Sequence, residues 1–330
     1  MQIEMLFSLL SERWRKLLTR MSLIFTSVCV VFYFISIEAL NNDQHVFHKQ
    51  CSLQSDEILS TRDVRYVLYG EGEQDERSLH KHIRASTSRH TASEPRRLSR
   101  PHRRHYSQIG QSQYVDKLLQ RRRNGVFLEC GAYDGEELSN SLFFELHRNW
   151  TGILIEANPI RLQSLIRKNR NAFVVRGCLS VTTRPAIVKF TMHPYFAGEI
   201  SGSVDETVNK SVNSYDSSSH NASFKTLSKS TGFPEIYVHC FPLMSIVNSL
   251  NIHHIDYISL DVEGAELAIL NTIDWTRLTV DVFTIEYGAK LHKLNELRTF
   301  FKKTGHYKEA GFLPTGKHEA TGQDVVFMRL

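Results

Sequence analysis

Six residues stand at the ends of short apolar runs in this 330-residue chain: Glu129, Gly131, Glu156, Cys178, Asp261 and Glu286. Four of the six are carboxylates. A carboxylate can accept hydrogen bonds from hydroxyls, hold a cation, or take a proton as a general base. Glu129-x-Gly131-x-x-x-Gly135 is the first cluster. Gly131 permits a tight strand-to-helix turn, and Gly135 permits close helix packing or close approach of backbone to a ligand. Glu156 lies twenty-one residues after Gly135, at the end of the next apolar run. There it can accept both hydroxyls of a ribose, as in nucleoside-cofactor sites.

The same residues argue against a pyrophosphate. GxGxxG is absent, and no surplus of glycine stands at the helix start. An acid at the end of the first strand repels phosphate and can hold an ammonium. S-adenosylmethionine carries an ammonium, a ribose diol and no phosphate. The plainer alternative is a helix-capping loop with a surface glutamate. Asp261 and Glu263, in Asp261-Val262-Glu263-Gly264, are the candidate bases for an acceptor hydroxyl, and spacing alone ranks neither. His253 and His254 read as ordinary loop histidines.

These residues need elements to position them. Val126–Leu128, Gly152–Ile155, Ala172–Val175, Tyr257–Leu260 and Val280–Ile285 read as buried strands. Amphipathic stretches separate them, with Leu138, Leu142, Phe143 and Leu146 on one face of the first. Asn158 caps and Pro159 opens the next helix. Leu243, Ile246, Val247 and Leu250 mark another helix, and Gly305 stops the last. Ala186–Met192 and Glu235–Cys240 look like further strands, and Tyr307–Phe312 with Asp324–Met328 a closing hairpin. Alternating strand and helix predicts a mainly parallel sheet with helices on both faces. Ligands of such sheets sit at the carboxyl ends of the strands, where strand order reverses.

FLECGAYDGEELSNS (Phe127–Ser141), NWTGILIEANP (Asn149–Pro159), IDYISLDVEGAELAIL (Ile255–Leu270) and VDVFTIEYG (Val280–Gly288) together resemble the FkbM family of methyltransferases. The resemblance runs from about Val126 to Leu330. It implies a Rossmann-like class I methyltransferase fold and S-adenosylmethionine-dependent O-methylation. It further implies cofactor contacts at Glu129, Gly131, Gly135, Glu156, Cys178 and Asp261, with Asp261 and Glu263 facing the methionine end or the acceptor. Tyr133 departs from the pattern, standing where many methyltransferases have glycine. Within the family, SNSLFFE, NWTGILIEANP and CFPLMSI are similar to the Star-like subgroup of membrane proteins. That likeness implies a non-catalytic role as a cargo factor for EGF-type ligands, in transport between endoplasmic reticulum and Golgi and through endosomes. A glycan acceptor is the partner on the enzymatic reading.

Composition narrows the classes. The chain is 41% apolar and 23% charged, which supports a packed core. From Gln111 to Leu330 there are 24 Lys and Arg against 23 Asp and Glu, too even for a nucleic-acid-binding face. No CxxC pair suggests zinc, and no metal is expected.

Residues 1–20 read as a cytosolic N-terminus. The run at 21–40 reads as a transmembrane signal anchor, opening with 17 residues without a charge. Arg13, Arg15, Lys16 and Arg20 precede it, which puts the rest of the chain in the lumen of the secretory pathway or outside the cell. A cleaved signal peptide is the rival, disfavoured by the length of the apolar run. Asn149, Asn209 and Asn221 begin glycosylation sequons. Residues 41–110 read as a disordered basic stalk, and 111–330 as the luminal domain. Its RxxR-like sequences around Arg97–Arg104 are read as spacer rather than cleavage sites. Cys178 and Cys240 are expected to pair in an oxidising lumen, and Cys130 to be a buried thiol. Because S-adenosylmethionine is made in the cytosol, luminal placement keeps the enzymatic and trafficking readings both open.

Overall fold

The structure, a computed structural model, describes residues 72–89, 95–192 and 235–330, and the backbone of 199–203. These fall within one compact unit, 59–330. The expected anchor at 21–40 and the sequons at Asn209 and Asn221 lie outside the described residues. Among the described residues no helix is long and apolar enough to cross a membrane.

Short apolar runs bounded by turn residues form the expected parallel strands: β2 (Val126–Cys130), β3 (Thr151–Glu156), β4 (Phe173–Arg176), β9 (His254–Leu260) and β10 (Thr279–Glu286). They belong to an eight-stranded sheet of order β1-β4-β3-β2-β9-β10-β12-β11. Here β1 is Ser88–Arg89, β11 Tyr307–Leu313 and β12 Asp324–Arg329. These three outer strands run antiparallel to their neighbours, so the sheet is mixed. Strand order reverses between β2 and β9, which pair in parallel with Cys130 opposite Leu260.

Alternate residues of the central strands feed two cores, because side chains alternate across a strand. Leu128, Ile153, Ile258 and Phe283 enter one, closed by α5 (Leu243–Ser249), α6 (Glu266–Leu270) and α7 (Leu291–Thr304). Phe127, Leu154, Tyr257 and Val282 enter the other, closed by α2 (Gln111–Leu118), α3 (Leu142–Arg148) and α4 (Pro159–Arg167). Asn158 caps α4, its Oδ1 accepting from the Ile160 and Arg161 amides.

A second sheet of order β5-β8-β6-β7 is built from β5 (Cys178–Leu179), β6 (Ala186–Thr191), β7 (Glu199–Ser203) and β8 (Glu235–Phe241). Its separation from the main sheet was not legible in the sequence. Gly177 joins β4 to β5 at φ +143°, where a Cβ would lie 2.2 Å from the His239 carbonyl oxygen. Cys178 and Cys240 are register partners across β5 and β8 and are disulfide-bonded, with Cα atoms 4.3 Å apart.

The folded unit begins earlier than expected. The span 41–110 was read as a disordered stalk, yet 77–86 forms α1 (Arg77–Ser86), which buries Leu79 and Ile83 completely in the first core. Two apolar residues four apart are enough for a one-stripe helix, and ten polar-rich residues hide that stripe. After α1, β1 pairs with the outer edge of β4, Ser88 opposite Val174. Residues 95–105 then run along the domain as a strap. The Arg97 amide donates to the Lys168 carbonyl at 2.9 Å, and the Ser99 and Arg100 amides donate to Glu136 at 2.7 and 2.6 Å. Arg96 pairs with buried Glu145. The domain boundary therefore lies before residue 77, not at 111.

Candidate functional site

At the carboxyl edge, beside the reversal of strand order, lies a cleft of about 430 Å³, open mouth included. Gly131, Glu156, Cys178 and Asp261 wall it, with Cys130 and Phe190. The loops after β2, β3 and β9 supply one side. The second sheet supplies the other as a roof, carrying Cys178 and Phe190 over the strand ends.

Gly131 is required by the backbone. Its φ is +82°, and a Cβ there would lie 2.5 Å from the Asp261 carbonyl oxygen. The turn after β2 thus lies directly against the turn after β9. Its amide, with that of Ala132, donates to the Ile155 carbonyl at 3.1 Å.

Glu156 is almost wholly buried in the cleft wall. Its oxygens accept from the Tyr133 amide and the Asn158 amide, each at 2.7 Å. Burial pushes its carboxyl up to about 7, against the opposing pull of these amides. The Ala157 amide is a third donor to this carboxyl. Tyr133, at φ +52°, stacks under the Arg161 guanidinium at 4.2 Å from the ring centre.

Asp261 is raised well above the usual carboxylate range by burial first, then by Glu286, Asp324 and Glu263. It hydrogen-bonds Glu286. Glu286 is the register partner of Asp324, whose carboxylate accepts from Gln111 Nε2 at 2.9 Å. Burial lifts Asp324 to about 6. Oxygens of Asp261, Glu263 and Glu286 lie within 4.8 Å of one another, a set of the kind a hard divalent cation takes. At the opposite edge His254, Asp256 and Asp281 form a similar group, but Arg122 Nη1 already donates to both aspartates.

Three expected cofactor contacts are thus brought together with Cys178: Gly131, Glu156 and Asp261. Two are not in the cleft wall. Glu129 accepts from Ser139 Oγ at 2.9 Å, from the Asn140 amide at 2.7 Å, and from Ser141. It ties down the 131–141 loop instead of facing a ligand ammonium. Gly135 serves packing: a Cβ there would lie 2.3 Å from Leu165 Cδ1. Glu263, at φ +56°, is exposed outside the wall beside Asp261. Sequence reasoning passed over Asp324, Gln111 and Phe190. Asp324 opens the last strand, but nothing in its spacing says that β12 inserts between β10 and β11.

The family described as methyltransferase FkbM domain matches residues 129–314. A solved FkbM methyltransferase from Methylobacillus flagellatus is 13% identical, with a TM-score of 0.38 over 68% of this chain and 48% of its own. The match thus spans about half the length of that protein. The human methyltransferase 10 domain containing protein is 11% identical, TM-score 0.34, over 66% of this chain and 79% of its own. A precorrin-6y C5,15-methyltransferase from Geobacter metallireducens is 14% identical, TM-score 0.32, over 66% of this chain and 87% of its own. No curated protein matches.

Proposed function

The chain belongs to the FkbM methyltransferase family, and from that premise we propose that it is a membrane-anchored, lumen-facing S-adenosylmethionine-dependent O-methyltransferase of the secretory pathway. The observation that carries the reading is the pair of carboxyl groups, Glu156 and Asp261, that wall the cleft at the switch point. A low-dielectric site lined by carboxylates favours a cationic ligand over a phosphate-bearing one. When bound, S-adenosylmethionine supplies an electrophilic methyl group on a sulfonium sulfur. Glu156 would hold the ribose hydroxyls. Asp261 and Glu286 share a hydrogen bond and so hold one proton between them, which leaves the pair one ionised carboxylate to take a proton from an acceptor hydroxyl. The roof covers the strand ends through Cys178 and Phe190.

Luminal placement is supported by the disulfide, since such bonds persist in oxidising compartments. Calorimetric titration of the detergent-solubilised chain with S-adenosylmethionine tests the proposal. Saturable binding that Glu156→Ala weakens roughly ten- to a hundredfold supports it. A folded wild-type chain giving no binding heat at millimolar ligand sinks it.

A second reading is a Star-like trafficking factor for EGF-type ligands, acting between endoplasmic reticulum, Golgi and endosomes. It is favoured by the amides of Tyr133 and Asn158, which already occupy Glu156. On that reading Glu156→Ala leaves cargo secretion normal, and replacing residues 21–40 abolishes it.

A further inference from the structure

On the α2/α3 face of the sheet, outside the cleft wall, cations accumulate. Arg103, Arg104 and Arg123 are exposed, and none has a carboxylate partner among the described residues. Arg103 Nε donates to the His105 carbonyl at 2.7 Å and lies over the Tyr106 ring. Arg123 Nη1 donates to the His147 carbonyl at 3.1 Å. His105 stacks on Phe143 with ring centres 4.2 Å apart, and His147 approaches the same ring at 5.1 Å. The group is therefore continuous. The neighbouring acid, Asp116, is taken by Nε and Nη2 of Arg148, which donate to its two oxygens at 2.6 Å each. Partial burial, then the field of Arg104, holds His105 and His147 below the usual histidine range, a sign of the local positive potential.

The strap fixes this arrangement. Its backbone is tied to Lys168 and Glu136, and Tyr106 Oη donates to the Arg100 carbonyl at 2.7 Å. The guanidiniums thus project from ordered chain, so less entropy is lost when an anion is bound. Guanidinium groups pair with sulfate and carboxylate through two parallel hydrogen bonds.

We propose that the face carrying Arg103, Arg104, Arg123, His105 and His147 is a docking surface for a sulfated polysaccharide. Two observations favour that occupant over nucleic acid. The Cys178–Cys240 disulfide belongs to an oxidising compartment, where polyanions carry sulfate and carboxylate. The face also lacks an exposed aromatic on which a base could stack: Phe143 is fully covered, and the exposed aromatic Tyr237 lies on β8. A membrane surface is disfavoured because Ile160, Val181 and Leu291 stand in other loops, leaving Leu138, bridged to Ser107, as a lone apolar side chain beside the face among the described residues. The inference does not depend on methyl transfer.

The test uses the full chain in detergent, with heparin as the probe, across a sodium chloride series. Wild type should stay bound above roughly 0.15 M salt. Arg103→Ala/Arg104→Ala/Arg123→Ala should bind roughly tenfold or more weakly, with a salt slope smaller by about two to three. Lys302→Ala/Lys303→Ala, an exposed pair on α7, should bind as wild type does. Arg104→Glu, whose native side chain makes no hydrogen bond among the described residues, should weaken binding more than Arg104→Ala while leaving the unfolding temperature unchanged. Equal binding by wild type and the triple variant overturns the proposal. So does an equal loss in the Lys302/Lys303 control, or wild-type preference for duplex DNA or phosphatidylserine vesicles over heparin.

Discussion

Burial lifts Glu156 from an ordinary value near 4.5 to about 7, so its neutral form is the one the fold favours. For an acid raised on folding, the stability contribution is complete below the unfolded value and is lost as pH rises through the folded one. Asp324, lifted to about 6, works in the same direction. The ligand-free protein should therefore melt at a higher temperature at pH 5 than at pH 8. Glu156→Gln should remove about 3 kcal/mol of that difference. A melting curve with the opposite slope would count against a buried, protonated Glu156. A cationic ligand reverses the preference, because it favours the carboxylate. Its affinity should climb between pH 5.5 and 8, read by calorimetry, and Glu156→Gln should flatten the climb. Gly131→Ala tests another residue. Its positive φ and the 2.5 Å approach to the Asp261 carbonyl oxygen predict a loss of about 2–4 kcal/mol, measured by denaturant unfolding.

At the scale of elements, the roof and α1 are the parts that sequence reading handled least well. The parallel strands and the Asn158 cap were legible because each is a local pattern: an apolar run, or a side chain two residues from its partner amide. Glu156 and Asp261 were legible for the same reason, as acids closing such runs. Glu129 looked identical to them, yet the hydroxyls of Ser139 and Ser141 claim it, and that choice is made by a loop path rather than by spacing. The Cys178–Cys240 bond is the one expected from the sequence, but the separate sheet it belongs to joins strands 62 residues apart, a separation that periodicity cannot bridge. Closing a loop of that length by a disulfide is worth about 4 kcal/mol. Cys178→Ser/Cys240→Ser should lower stability by that order, and should raise the salt- and temperature-sensitivity of ligand binding more than Cys130→Ser does. α1 was missed because Leu79 and Ile83 carry its whole apolar stripe. Leu79→Ala should destabilise the domain by about 2–5 kcal/mol. A chain starting at Gln111 should unfold at lower denaturant than one starting at residue 72, and equal midpoints would remove α1 from the core.

Taken as a whole molecule, the folded unit separates its buried carboxyl groups from its exposed basic face. Carboxyl groups gather at the cleft where the strands end, and guanidiniums without a carboxylate partner among the described residues gather on the face of α2 and α3. Asn149 lies on the second side: it closes α3 at φ +57°, is exposed, and donates through Nδ2 to Asn124 Oδ1 at 2.7 Å. A glycan there stands clear of the cleft but next to Arg123. If the domain is luminal, glycosidase digestion of the membrane-inserted chain should shift its gel mobility, and Asn149→Gln should reduce the shift. Unchanged mobility in an inserted chain would argue against luminal placement.

The segment leading into α1 touches the roof as well as the core. Glu73 pairs with Arg184 in the turn between β5 and β6, the Gln74 carbonyl accepts from Ser245 Oγ at 2.7 Å, and His82 packs 5.9 Å from the Phe241 ring at the end of β8. Tension applied to the chain ahead of residue 72 would load these contacts first. The force would reach the roof through Glu73 and Arg184, and at the same time β10 through Asp75 and Arg277, so a pull on this entry segment is shared between the lid of the cleft and the central sheet.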